Sequence, residues 1–342
     1  MDFGPVFALI FGGCCSNAWT LERSMQQLPT SGTLMTFVQF VATALVALPG
    51  ELTWRRWHGV PIVWLKTPQI PIRRWLVQVV LYSTTSILNN TAFAFTIPMS
   101  VHIVFRSGGM VVNMVLGWAI AGRRYNFMQI ISVALVSAGV LAATLAAAAP
   151  SKAEDTNTGR YAMGVFLLSL ALLSSGVMGI FQERTYARYG HQHWHEALFY
   201  THLFSLPLFL LNPGAIRQQF KDANMTPKHW IGYHGVGAFV PSYYTMLTLN
   251  VLTQLLCING VNRLTASVSS LSVSLVLVVR KAVSLVISVV ILNGDGGNFT
   301  LWAGSTAVMV GTLGYTYGGL REASKEGKER VVRDASKEGK EE

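Results

Sequence analysis

The sequence predicts an all-α polytopic membrane protein of ten transmembrane helices, built as two inverted five-helix repeats. Three observations carry that prediction. Of 342 residues, 51% are hydrophobic and only 12% are charged, with mean hydropathy +0.41, whereas a soluble domain carries about a quarter charged residues. Apolar runs of membrane-spanning length recur along the chain. The second half of the chain echoes the first in order, which points to duplication.

The spans follow in sequence near 3–21, 31–50, 75–95, 98–120, 127–148, 161–182, 196–212, 243–262, 264–292 and 299–319. The first lacks a basic leading region and runs into Glu22-Arg23 without a small-residue cleavage site, so it is expected to stay as a span and not to be removed as a signal peptide. Cys14, Cys15 and Cys257 all fall inside spans, and no disulfide framework is expected of them. The glycine pairs Gly12-Gly13 and Gly108-Gly109 are expected at close helix contacts. After residue 320, "ASKEGKE" occurs at 323–329 and again at 335–341; this charged, low-complexity stretch is expected to be solvated and unstructured. The domains expected are therefore 1–150, a first five-helix repeat, 151–320, a second, and 321–342, a cytosolic tail.

Lysines and arginines in the loops orient the chain. One side collects Arg55, Arg56, Lys66, Arg73, Arg74, Arg123, Arg124, Arg184, Arg188, Arg263 and the basic tail; the other holds Arg23, Lys152, Arg160, Arg217, Lys221 and Lys228. The positive-inside rule puts both termini in the cytosol. Asn224, in the sequon "NMT", then falls in the longest lumenal loop and is the sequon best placed for glycosylation. The net charge of +10 is mostly this topological signal. No basic stripe interleaved with exposed aromatics supports nucleic-acid binding.

The repeat is read from several short matches. "MTFVQFVATALVALPG" (35–50) aligns without gaps on "FYTHLFSLPLFLLNPG" (199–214), "TLERS" (20–24) echoes "FQERT" (181–185), and Phe105-Arg106 falls on Val279-Arg280. Five spans per half is an odd number, so the second half inserts upside down relative to the first. Secondary transporters have this architecture, with a substrate site near the membrane midplane.

"SLVLVVRKAVSLVISVV" (274–290) sets Arg280 and Lys281 amid apolar residues. A central Arg or Lys costs about 2.5–3.5 kcal/mol to insert, and the spans offer few acids to offset it. An anionic substrate in a wet cavity would compensate the charge. Counting from Lys281, Ser267, Ser270, Ser274, Ser284 and Ser288 share its helical face, which predicts that Lys281 faces the cavity. Arg280 shares its face with Val273, Val276, Leu277 and Val283, and reaches a partner between helices or snorkels. In the related span 97–117, His102, Arg106, Gly109 and Asn113 lie on one face, and Arg106 is the matching cation. Asn250 and Gln254, four apart, either bind substrate or pack helices.

"SILNNTAFAFTIPMSVHIVFRSGGMVVNMVLGWAIAGRRYNFMQIISVALVSAGV" (86–140) resembles the nucleotide-sugar transporters of the drug/metabolite transporter superfamily. "FALIFGGCCSNA" (7–18), "ERTYARYG" (183–190), "HEALFYTHLFSLPLFL" (195–210) and "LNVLTQLLCINGVNRLTASVSSLSVSLVLVVRKAVSL" (249–285) look like the UDP-N-acetylglucosamine/UDP-xylose branch, particularly its fungal members. The resemblance covers nearly all of the chain before residue 320. It implies a ten-helix antiporter of the endoplasmic reticulum or Golgi membrane that imports a UDP-sugar, UDP-N-acetylglucosamine first among them, and returns UMP. Basic residues of the fourth and ninth spans would engage the phosphates, which maps onto Arg106 and onto Lys281 or Arg280. Asn89 and Asn90 occupy the family's paired-asparagine position, and the alternative reading is that they cap a helix end. Ser274 and Asn113 complete the candidate site. The chain ends "KEGKEE", without a dilysine signal at its extreme C-terminus, so the compartment stays open between the two.

The expected partners are the UDP-sugar, UMP and the lipid bilayer; no nucleic acid and no cofactor are expected, and a homo-oligomer remains open. Within transporters the alternatives are UDP-xylose, UDP-glucuronate, GDP-mannose and adenosine phosphosulfate. The family's guanine-type members carry "GALNK" in the ninth span where this chain has "VVRKA", which disfavours a GDP-sugar. An enzyme is the rival class. "HQHWHE" (191–196) offers His191, His193, His195 and Glu196 as zinc ligands, but it lacks the HExxH order and lies in a loop. A scaffold without transport leaves the midplane cations unexplained.

Overall fold

The computed structural model describes residues 3–57, 60–92, 108–147, 158–233, 236–286 and 299–338. The chain forms two compact units, Met1–Thr84 with Phe181–Val273 and Thr85–Ile180 with Ser274–Glu342. Each unit takes elements from both expected repeats.

In the first unit, α1 (Phe3–Ala8), a π-helical turn (Leu9–Gly13) and α2 (Cys14–Gln27) pack against α10 (Ser242–Ser267). Gly13 allows the approach: a Cβ there would lie 2.8 Å from the Cys257 nitrogen. Across this contact Cys14 and Cys257 form a disulfide, with Cα atoms 4.4 Å apart. That overturns the expectation of unpaired cysteines. Hydropathy places both residues inside spans but does not say which spans touch.

Helix α3 (Gly32–Ala47) passes into a 3-10 turn, Leu48–Glu51, where Pro49 cannot donate to the helical ladder. α8 (Trp194–Ser205) ends the same way, in the 3-10 turn Leu206–Leu211 with Pro207. The two helices pack through Phe40 and His202, whose ring centroids are 4.9 Å apart. Ile70, Trp75, Tyr186, Ala197, Phe199 and Tyr200 form the core beside them.

Two β-hairpins correct the all-helical expectation. β1 (Leu52–Trp57) pairs antiparallel with β2 (Val60–Leu65), Leu52 opposite Leu65; β3 (Lys228–Tyr233) pairs with β4 (Val236–Pro241), Lys228 opposite Pro241. Both have six-residue strands rich in aromatic and β-branched residues, joined by His-Gly, a glycine-bearing two-residue connection. Trp57-His58-Gly59-Val60 and Tyr233-His234-Gly235-Val236 are a further echo between the halves. The second hairpin is separated from its span by α9 (Pro213–Asn224), begun by Pro213 after Asn212, whose side chain accepts from the Ala215 nitrogen at 3.3 Å.

Helix α4 (Ile72–Ala92) packs on α7 (Thr158–Tyr189). In the first unit Gln78 donates to Gln182 at 3.2 Å. In the second, Thr85 donates to Ser174 at 2.9 Å. The second unit also holds α5 (Gly109–Ala119), α6 (Phe127–Ala147), most of α11 (Ser270–Val286) and α12 (Phe299–Glu338). α6 starts at a reciprocal cap: Asn126 accepts from the Gln129 nitrogen at 2.8 Å and Gln129 from the Asn126 nitrogen at 3.1 Å. α6 and α12 approach closely, because a Cβ on Gly139 would stand 2.7 Å from the Gly304 carbonyl oxygen. α12 runs on to Glu338, where an unstructured tail was expected. Glu326 with Arg330 and Glu329 with Arg333 stand four apart, the spacing at which opposite charges favour a helix.

Four described helices are long and apolar enough to cross a membrane: Gly4–Gln27, Gly32–Glu51, Ala162–Tyr189 and Ser242–Ser267. Gly109–Ala119 and Phe127–Ala142 are shorter apolar helices. The fold is that of a helical polytopic membrane protein.

Candidate functional site

A cavity of about 320 Å³ lies in the second unit, inside the range of about 300–1,000 Å³ usual for small-molecule sites. Four helices line it, each with one face. Ser274, Leu277, Val278 and Lys281 of α11 recur at steps of three and four, as do Leu168, Ala171, Leu172, Ser175 and Gly176 of α7. α5 contributes Gly109, Met110 and Asn113, and α4 contributes Thr85 and Asn89. Among these residues Lys281 is the only charged one, and its side chain is exposed to the cavity side of the helix.

Asn113 donates to the Ser274 hydroxyl at 2.6 Å, which fixes its amide. Its Oδ1 is buried and accepts no hydrogen bond. It lies over Gly176, where a Cβ would be 3.1 Å from Oδ1 and 2.5 Å from Leu116 Cδ1. An unsatisfied buried acceptor costs about 1–3 kcal/mol, so a ligand N–H or O–H has a place to donate. Asn89 turns its own amide nitrogen to the Thr85 carbonyl at 2.9 Å and leaves its oxygen for other donors.

The structure therefore brings together Asn89, Asn113, Ser274 and Lys281 from the sequence-derived candidates. Arg280 is half-buried with its Nε shielded from solvent, and does not line this cavity. Asn90 continues α4 beside Asn89; Arg106 and His102 lie outside the described residues. Asn250 and Gln254 do not line the cavity. Asn250 is wholly buried in the first unit: it donates to Thr20 at 3.1 Å and to the Asn17 carbonyl at 3.3 Å, and accepts from Gln39 at 2.6 Å. Its polar atoms serve helix packing there.

The serine stripe is shorter than the spacing predicts. α10 ends at Ser267, Val268 is extended with φ −132° and ψ 171°, and α11 starts at Ser270. Ser267 thus belongs to the preceding helix, and the α11 N-terminus is capped by Glu183, which accepts from the Ser270 nitrogen at 2.9 Å. Sequence reasoning passed over Thr85, Ser175 and Gly176. The signal was present in "LLSSGVMG" (172–179), a polar pair and a glycine in mid-span.

The histidine motif has structural uses in the first unit. Glu196 accepts from the backbone nitrogens of Gln69 at 2.9 Å and Ile70 at 3.1 Å, fastening the segment after β2. His193 Nδ1 is 3.6 Å from Glu196, and His191 meets the Ala266 carbonyl. Burial, then Arg263 and Lys66, push the His195 pKa below its usual value, so the ring is neutral at pH 7.

A family model described as the UAA transporter family matches residues 3–319, nearly the whole chain. The chain belongs to that family. A UDP-N-acetylglucosamine transporter of Schizosaccharomyces pombe is 39% identical, over 85% of this chain and 88% of its own. A UDP-xylose and UDP-N-acetylglucosamine transporter of Danio rerio is 38% identical, over 90% and 92%. A UDP-N-acetylglucosamine transporter of Kluyveromyces lactis is 32% identical, over 94% and 99%. One crystal structure covers 92% of this chain and 98% of its own with a TM-score of 0.57 at 13% identity, a likeness of fold alone. This UAA family transporter thus has its polar cavity on helices that all lie within the matched region.

Proposed function

We propose that the protein is a nucleotide-sugar antiporter of the Golgi or endoplasmic reticulum membrane, importing UDP-N-acetylglucosamine into the lumen in exchange for UMP. The observation that carries this reading is the cavity holding Lys281, Asn89, Asn113 and Ser274 in a chain whose relatives are named for UDP-N-acetylglucosamine. Lys281 and Arg106 meet the phosphates. The Asn113 oxygen accepts from the uracil N–H or a sugar hydroxyl. The name of the Danio rerio relative makes UDP-xylose the second substrate to test.

The inverted repeat is part of the proposal, and the pairing of helices supports it. Numbered within each half, position one pairs with three (α2 with α10) and three with one (α4 with α7). Two pairs with two (α3 with α8), four with four (Asn113 of α5 to Ser274 of α11) and five with five (α6 with α12). Such reciprocal pairing is what a twofold relation between the halves produces, and the odd number of spans per half is what would place that axis in the membrane plane. Cytosolic termini follow from the loop charges; glycosylation of the exposed Asn224 would report the lumenal side.

The experiment is exchange in proteoliposomes. Vesicles loaded with UMP should take up labelled UDP-N-acetylglucosamine, and vesicles loaded with GMP or buffer should not. Equal uptake into buffer-loaded vesicles would remove the exchange mechanism, and equal stimulation by GMP would remove the uridine assignment.

A further inference from the structure

We propose that the groove where α5 meets the start of α6 binds one anionic phospholipid. The groove is open, about 1010 Å³ in volume, and lies wholly in the second unit. Its walls are Met114, Val115 and Trp118 of α5 and Ile130 of α6, with Trp118 65% exposed and Val115 53%. Its mouth is the loop carrying Arg123, Arg124 and Tyr125.

The backbone of the loop that carries those arginines is fixed at its start. α5 closes with the Ile120 nitrogen on the Leu116 carbonyl at 2.8 Å and the Arg123 nitrogen on the Gly117 carbonyl at 3.1 Å, while Gly122 takes φ +65°. The chain therefore folds back over the last turn of the helix. A Cβ on Gly117 would strike the Tyr125 hydroxyl, so the glycine is what admits the ring. Two arginines at a helix C-terminus are held near its negative end.

The ligand must match both parts of the groove. Two guanidinium groups take phosphate oxygens bidentately, and the apolar wall with an exposed tryptophan takes acyl chains at the membrane interface. A soluble phosphate leaves the wall uncovered, and a zwitterionic lipid brings an ammonium toward two cations. On the orientation proposed above, the loop faces the cytosolic leaflet, where anionic lipids concentrate. Binding in detergent does not depend on that orientation or on transport, so its failure is distinct from failure of the antiporter reading.

Native mass spectrometry of the purified full chain would test this, titrating phosphatidylinositol and phosphatidylcholine of matched acyl chains. Phosphatidylinositol should bind more tightly, by about fivefold for each arginine. Arg123→Gln with Arg124→Gln should abolish the difference, and Trp118→Ala should weaken both lipids. Removing the same charge elsewhere, with Arg55→Gln and Arg56→Gln, should leave binding intact. If the double variant does not fold, Arg124→Gln alone, at an exposed side chain, should lose about fivefold. Equal retention of the two lipids by the native chain would overturn the proposal, as would an unchanged preference in the loop variants or an equal loss in the Arg55/Arg56 control.

Discussion

Replacing Lys281 by alanine should cost substrate affinity and leave the fold standing. The side chain stands at a cavity of about 320 Å³ whose lining includes the apolar Leu168, Leu172, Leu277 and Val278 and no other charged residue. A phosphate oxygen about 4 Å from the ammonium gains roughly 4 kcal/mol at an effective dielectric of about 20. Desolvating both ions takes back part of that gain. If about half survives, roughly 2 kcal/mol remains, about a 30-fold loss of affinity at 1.4 kcal/mol per tenfold. Lys281→Arg keeps the charge and should lose much less. The assay is the KM for UDP-N-acetylglucosamine in UMP-loaded proteoliposomes, together with ligand-induced thermal stabilisation of the purified protein, which follows the dissociation constant. Arg280→Ala should instead lower the melting temperature with KM nearly unchanged. If Lys281→Ala transports with native KM while Arg280→Ala is inactive and stable, the cavity assignment on α11 is wrong.

Asn113→Ala should weaken UDP-sugar binding by about tenfold with little change in stability, whereas Asn250→Ala should destabilise by about 1–3 kcal/mol and leave KM alone; the same two assays separate them. Gly311→Leu should destabilise strongly, because a Cβ there already stands 2.6 Å from Val136 Cγ2 and 2.9 Å from the Ser132 carbonyl oxygen, and overpacking a close helix contact costs about 1–3 kcal/mol or more; an unchanged melting temperature would refute the α6–α12 contact. Maleimide labelling of the denatured, unreduced chain should modify Cys15 alone, and reduction should expose Cys14 and Cys257 as well. Labelling of Cys257 before reduction would contradict the bridge.

Hydropathy made the helical membrane fold legible, because burial in lipid requires long apolar runs wherever the chain crosses. It reports position along the membrane normal. It is silent on which helices are neighbours, and that is where the expectations failed. Cys14 and Cys257 are 243 residues apart, and only packing of α2 on α10 brings them together. The hairpins were a different kind of miss. Their signal was local, a run with aromatic and β-branched residues on each side of His-Gly, and it sat in segments read as loops between the spans. Lys281, Asn113 and Ser274 were legible because helical periodicity within one span is enough to pick a face. Ser267 failed by the same rule, since periodicity counted across the break at Val268 no longer refers to one helix.

Asn113 and Asn250 show what sequence cannot distinguish. Both are asparagines in apolar helices, and both are held by side chains of neighbouring helices. The difference is in how many of their polar atoms are satisfied. Asn250, with Asn17, Thr20, Gln39 and Thr253, forms a network in which its amide nitrogen and oxygen all have partners. Such a network fixes helix positions and leaves no polar atom of Asn250 without a partner. Asn113 spends its amide nitrogen on Ser274 and keeps a buried oxygen without a donor, beside a cavity with a lysine. An acceptor in that state is costly to the empty protein, and on the reading proposed above a donor group on a bound nucleotide sugar would remove the cost. Unsatisfied hydrogen-bonding capacity, more than polarity, is therefore what sets Asn113 apart from Asn250 as a candidate for substrate binding.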